Sequence, residues 1–247
     1  MLARTSKGPG TRPFGARLHP LIVAVVVVTA LAGVACGGSS PTTPGSPVPV
    51  PTPAATARYE VTFDGVWSNA THPVETPPVP HFSGLIGATH RATTRFWDVG
   101  TLASEGIRNM AEEGSKTPLD QEIMAVIAAG AAQHLLSGGS IPVSPGSVSL
   151  EFEISREQPY VTLVSMVAPS PDWFVGVSAL NLLEADWVAQ RVVVLRPYDA
   201  GTDSGVTFLS RNRPTFPRER ISPIATAPLA AGGEVAPLGT FTFRRLS

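Results

Sequence analysis

The 247-residue chain carries 18 basic and 19 acidic side chains, and its 25 prolines and 23 glycines argue for many turns and little helix. The formal charge of −1 is uneven: residues 1–35 hold Arg4, Lys7, Arg12 and Arg17 and no acid, leaving 14 basic against 19 acidic side chains beyond them. A mildly acidic body without a basic run excludes the electrostatic footprint of a nucleic-acid-binding protein.

In chain order, residues 1–35 read as a signal peptide. A basic stretch ends at Arg17, and "LIVAVVVVTALAGVA" (21–35) is apolar throughout, too short for a spanning helix and right for a signal core. The only cysteine, Cys36, follows in "LAGVACGGSS". That pattern resembles a relaxed bacterial lipobox, with Gly33 where leucine is usual, and implies lipidation at Cys36. Simple secretion by cleavage, or a retained N-terminal anchor, is the other reading. Residues 36–57 then form a spacer, with six prolines and no charge in 37–57. Such a stretch favours extended polyproline II, which at about 3.1 Å per residue reaches roughly 65 Å.

A single domain is expected over 58–247. "YEVTFDGVW" (59–67) alternates apolar and polar residues with the period of a half-buried strand. Six further strands are expected at 148–154, 160–166, 173–180, 187–195, 205–209 and 239–246, which together suggest an antiparallel sandwich or barrel. Two helices interrupt them. "SEGIRNMAEEG" (104–114) closes on Gly114, and 117–139 opens with Thr117 as N-cap and Pro118 at the first position, then ends at a glycine pair.

No catalytic constellation stands out. "GVSAL" (176–180) has the start of a hydrolase elbow, but lacks its second glycine and places Ser178 in a strand. His72, His81, His90 and His134 form no HExxH-like pair, no second cysteine exists for a zinc site, and "SGGS" (137–140) lacks the lysine of a phosphate loop. The acids are more suggestive. "RPYDAGTDSG" (196–205) sets Asp199 and Asp203 four apart around a glycine, and "APSPDWFVG" (168–176) offers Asp172 between a proline turn and a strand. Asp199 and Asp203 suit turn capping as well as they suit metal binding.

"SMVAPSPDWFVGVSAL" (165–180), "YDAGTDSGVTFLS" (198–210) and "NRPTFPRERISPI" (212–224) resemble the spondin domain family, the N-terminal domain of F-spondin and mindin. "YEVTFDGVWS" (59–68), "HFSGLIGATH" (81–90) and "FWDVGTLASEGIRNMAEEG" (96–114) extend the likeness over nearly the whole of 58–246. The resemblance implies a mainly β fold, an eight-stranded antiparallel β-sandwich of C2-like topology, here with one or two inserted helices. It also implies a calcium ion (Ca2+) held by Asp172, Asp199 and Asp203, and a non-catalytic adhesion or ligand-binding role outside the cell. Where the animal proteins have a cysteine, this chain reads "NLLEADW" (181–187), so that disulfide is not expected. The expected partners are a protein or glycan at the cell surface and, through the lipid, a bacterial envelope membrane, unless the chain is secreted. The alternative is a subunit of an envelope assembly with a purely structural ion.

Overall fold

The computed structural model describes residues 52–231 and 234–247. The expected signal core, Cys36 and most of the proline-rich spacer lie outside the described residues.

The elements run β1 (Thr56–Gly65), β2 (His81–Phe82), β3 (Ile86–His90), α1 (Glu105–Glu113), α2 (Leu119–Ala128), β4 (Ala132–Ser137), β5 (Gly146–Ser155), β6 (Tyr160–Ala168) and β7 (Trp173–Asn181). They continue with β8 (Gln190–Leu195), β9 (Tyr198–Asp199), β10 (Ser222–Pro223), β11 (Ala230–Ala231), β12 (Glu234–Val235) and β13 (Gly239–Arg245). One antiparallel sheet has the order β5-β1-β13-β8; the other runs β10-β9-β7-β6-β3-β4, with β2 also on β6. β11 and β12 pair only with each other. The architecture is the antiparallel sandwich implied by the resemblance, with short strands elaborating the second sheet.

β1 alternates because only one of its faces is covered: Tyr59, Val61 and Phe63 are fully buried, while Glu60 and Thr62 face outward. The inward row packs with Phe241 and Phe243 of β13 against Leu163 and Val175 of the second sheet, building the core between the sheets. β6 lacks this alternation, since Val161 through Ala168 are all buried. The second sheet is covered on both faces, because Val164 and Phe174 pack outward against Ile107, Met110, Leu119 and Ile123 of the helices. The described residues thus form three layers: sheet, sheet, helices.

α1 is set by its caps. Ser104 Oγ accepts the Ile107 amide at 3.1 Å, and Gly114, at φ +67°, donates its amide to Met110 O at 3.1 Å. α2 differs from the expected helix over 117–139. Its N-cap is Pro118 without a side-chain cap bond, and it stops at Ala128. Gly130, at φ +74°, reverses the chain, and Ala132–Ser137 becomes β4 on the edge of β3. The alanine-rich run is a good helix former, but the open ladder of β3 overrides that propensity. Leu135, inside the helix expected over 117–139, therefore lies in a strand. The strand expected at 205–209 is also absent: Ser210 Oγ accepts the amides of Val206 and Thr207, folding this stretch into a turn. β1 starts at Thr56, two residues ahead of the expected domain boundary.

Candidate functional site

The turn before β7, the loop after β9 and the return strand towards β10 meet at one end of the sandwich. Asp172 is fully buried there. Its Oδ2 accepts the Thr202 amide at 2.7 Å, the Thr202 hydroxyl at 3.1 Å and the Asp203 amide at 3.0 Å. Its other oxygen, Oδ1, is buried without a hydrogen-bond partner. Burial first, and then repulsion from Asp199, pushes the Asp172 carboxyl up to about 7, against the pull of the two amides and the hydroxyl.

Asp199 sits on β9, paired with Trp173 of β7, so the ladder itself carries it beside Asp172. Its Oδ1 accepts the Gly201 amide at 2.7 Å, and burial raises its pKa, with Glu219 and Asp203 adding repulsion. Asp199 also borders a cavity of about 370 Å³ with Trp173, Gly205 and Ser222. Asp203 is buried and turned towards its own loop: Oδ1 accepts the Gly205 amide and Oδ2 the Arg213 amide, both at 2.7 Å. The backbone around them is fixed by Ala200 N to Asp172 O at 3.1 Å, Thr215 N to Thr202 O at 2.9 Å and Glu219 N to Gly201 O at 2.9 Å.

The three acids expected from the sequence therefore come to one place, though not as equals. Asp172 and Asp199 act on each other electrostatically, whereas Asp203 is joined to Asp172 through its amide and keeps both oxygens on loop amides. Among the described residues, no three acidic, imidazole or thiolate groups converge as a ready-made metal cage. The donor chemistry still suits a hard divalent cation, which takes oxygen ligands: a buried carboxylate oxygen without a partner and a second carboxylate whose charge opposes it. Asp172 and Asp199 would hold such an ion, and Asp203 would fix the loop that brings them together.

Sequence reasoning overlooked Thr202, which supplies two of the three bonds to Asp172 Oδ2. It also overlooked Gly201, whose φ of +74° and contact with the Glu219 backbone admit no side chain without strain. The glycine inside "DAGTD" is the signal that could have found the second; nothing in the sequence marks Glu219 as a neighbour of Asp199.

The other candidates are structural. Ser178 Oγ donates to the Trp97 carbonyl at 2.6 Å, bound into the fold rather than offered to a base. His90 donates from Nδ1 to Arg91 O at 2.8 Å and accepts at Nε2 from the Thr162 hydroxyl, also at 2.8 Å. His72 lies between Thr71 and Ala236, and the His81 ring bonds the Val79 carbonyl. His72 also lines a cavity of about 640 Å³ with Arg196, Leu229 and Val235, which none of the three aspartates reaches.

The Spondin_N family profile matches residues 57–231, which include Asp172, Asp199 and Asp203. The chain is 40% identical over 181 residues to Spondin-1 of Gallus gallus, covering 69% of this chain and 22% of that protein. It is 39% identical over 178 residues to Spondin-2 of Homo sapiens, covering 70% of this chain and 54% of that protein. The chain thus spans about a fifth of the length of the one and about half of the other. Sandwich, loops and sequence concur, and the chain belongs to the Spondin_N family.

Proposed function

We propose that this is a non-catalytic ligand-binding or adhesion module, exported and stabilised by calcium, which Asp172 and Asp199 hold with Asp203 bracing the loop. The observation that carries the reading is the buried Asp172 oxygen without a partner beside a second carboxylate, an arrangement that a divalent cation relieves. Its role is to lock the turn before β7 to the loop after β9, shaping one end of the sandwich for a protein or glycan. Lipidation at Cys36 would hold the module on a bacterial envelope membrane. The non-catalytic part of the reading draws support from Ser178 and His90, both engaged in structural hydrogen bonds.

An ion that binds only the folded state raises its stability by mass action, by about 2.7 kcal/mol when calcium is 100 times its dissociation constant. Thermal melts in calcium and in chelator test this: a higher midpoint in calcium, lost in Asp199→Ala, supports the site. Identical midpoints in the two conditions refute it.

A further inference from the structure

The three most exposed large apolar side chains among the described residues are Phe216 (97% exposed), Val206 (73%) and Leu209 (71%). All three belong to one segment, residues 204–220. The same 17 residues hold Arg211, Arg213, Arg218 and Arg220 against the single acid Glu219, a net of +3 on a domain that is otherwise acidic. Arg218 pairs with Glu105 at 2.6 Å, and Arg220 donates to Gly100 O at 2.6 Å. Arg211 and Arg213 are exposed and form no ion pair among the described residues.

The segment is built to hold this display. Ser204 N donates to Arg213 O at 2.8 Å, and the Ser204 and Thr215 hydroxyls meet at 2.8 Å, closing the base of the loop. Phe208 is buried, its ring 5.2 Å from Trp67 and 5.4 Å from Trp173, so one aromatic plugs the loop into the core while its neighbours stay outside. A loop anchored at both base and centre presents its apolar groups at little further entropic cost. Phe216 stands almost free of the protein, which suits a partner that envelops it without a shaped pocket. The boundary between lipid headgroups and acyl chains is such a medium, and its anionic phosphates match the two guanidinium groups.

We propose that residues 204–220 form a docking surface for an anionic lipid bilayer. Val206, Leu209 and Phe216 enter the headgroup–acyl boundary, and Arg211 and Arg213 lie on the phosphates. The side chains that meet the lipid are not those placed at the cation site, although Asp203 holds the Gly205 and Arg213 amides at the base of the segment. The vesicle experiment is therefore run in calcium and in chelator, and the response is expected in both.

The full chain carrying Phe216→Trp is added to vesicles with brominated acyl chains, made of phosphatidylcholine alone or mixed with phosphatidylglycerol. The native tryptophans Trp67, Trp97, Trp173 and Trp187 are all buried and supply the baseline. The expected result is that the emission added by the substitution shifts to the blue and is quenched when phosphatidylglycerol is present. Adding Arg211→Gln and Arg213→Gln is expected to weaken this response roughly 25-fold, about fivefold for each arginine. All three positions are exposed, so an unchanged melting temperature serves as the folding control. Emission at position 216 that is the same with anionic vesicles as in buffer overturns the proposal, whether or not the chain sediments with them. Equal quenching in the two lipids also overturns it, as does a response that appears only with a soluble protein.

Discussion

Asp172 Oδ2 lies 2.7 Å from the amide nitrogen of Thr202, a bond across 30 residues that fastens the turn before β7 to the loop after β9. The bond needs an acceptor at Oδ2, not a negative charge. Asp172→Asn keeps an oxygen for these donors and removes the buried charge. At neutral pH its stability in chelator is expected to stay within about 1 kcal/mol of wild type. Its gain in melting temperature on adding calcium is expected to vanish, as differential scanning calorimetry with and without calcium would show.

The pH dependence of the chelated protein follows from the same carboxyl. Its folded pKa, about 7, lies above the ordinary value of 3.8, so the folded state binds the proton more tightly. The stability this contributes is fully present below the ordinary value and is lost as pH rises through about 7. In chelator, wild type is therefore expected to gain on Asp172→Asn as pH is lowered from 8 to 5, by at most about 1.4 kcal/mol per pH unit. Urea unfolding of the two proteins across that range reads the difference and cancels the opposing contribution of His90, whose pKa is lowered chiefly by burial.

Gly201 combines a φ of +74° with close contact of any added Cβ against the Glu219 backbone, whereas Gly100, at φ +84°, has open space around it. Gly100→Ala is expected to cost only the left-handed penalty, about 1–2 kcal/mol. Gly201→Ala adds a clash with backbone at the candidate site, so its loss should exceed that of Gly100→Ala, and calcium should no longer restore the wild-type midpoint. Chemical denaturation of the two variants side by side makes the comparison.

Glu122 joins the two helices. Its Oε1 accepts the Gly106 amide at 2.8 Å and its Oε2 the Ser104 hydroxyl at 2.7 Å, so one side chain of α2 satisfies the start of α1. Glu122→Ala is expected to destabilise by about 1–3 kcal/mol, while Glu122→Gln retains an acceptor and loses less. Amide exchange at Gly106 and Ile107 would register the loosened helix start.

Ala179 holds φ +50° at a bulge in β7, where Thr162 faces the extra residue and its hydroxyl accepts the Ala179 amide at 3.0 Å. Glycine occupies this conformation without the steric penalty of a Cβ. Ala179→Gly is expected to stabilise the protein by about 0.5–1 kcal/mol, read as a higher urea midpoint with an unchanged slope.

The sandwich was legible where burial is one-sided or the punctuation strong. The alternation of Tyr59, Val61 and Phe63 announced β1, and Ser104 with Gly114 bounded α1. It was hidden where a distant partner decides. Nothing local in "AQHLL" distinguishes a helix end from a strand that completes the edge of β3, and Phe208 looks like a strand residue until Trp67 and Trp173 receive it. At the site, the residue pattern left Asp199 and Asp203 open between turn capping and metal binding, and it was the family resemblance that grouped them with Asp172. The unequal roles of the three depend on which amides each oxygen meets, and that geometry exists only once the loop after β9 has closed over Asp172.

β1 runs between two poles of the domain. At its start, Ala54 O accepts the Trp187 indole N–H at 2.9 Å and Arg58 N donates to Ser247 O at 3.1 Å, so residues 54–58 gather with Trp187 and Ser247 there. Ten residues later, about 33 Å along the strand, the chain reaches Trp67 and the plugged loop of Phe208. Tension between a tether at the first pole and a surface gripped at the second is directed along β1, which is flanked on both sides by β5 and β13. Such a pull loads the ladder bonds of both neighbours together in shear instead of unzipping them one by one. If the proposed tether and docking surface both hold, the placement of β1 between two paired neighbours would make the domain a mechanical link, resistant to being drawn open between them.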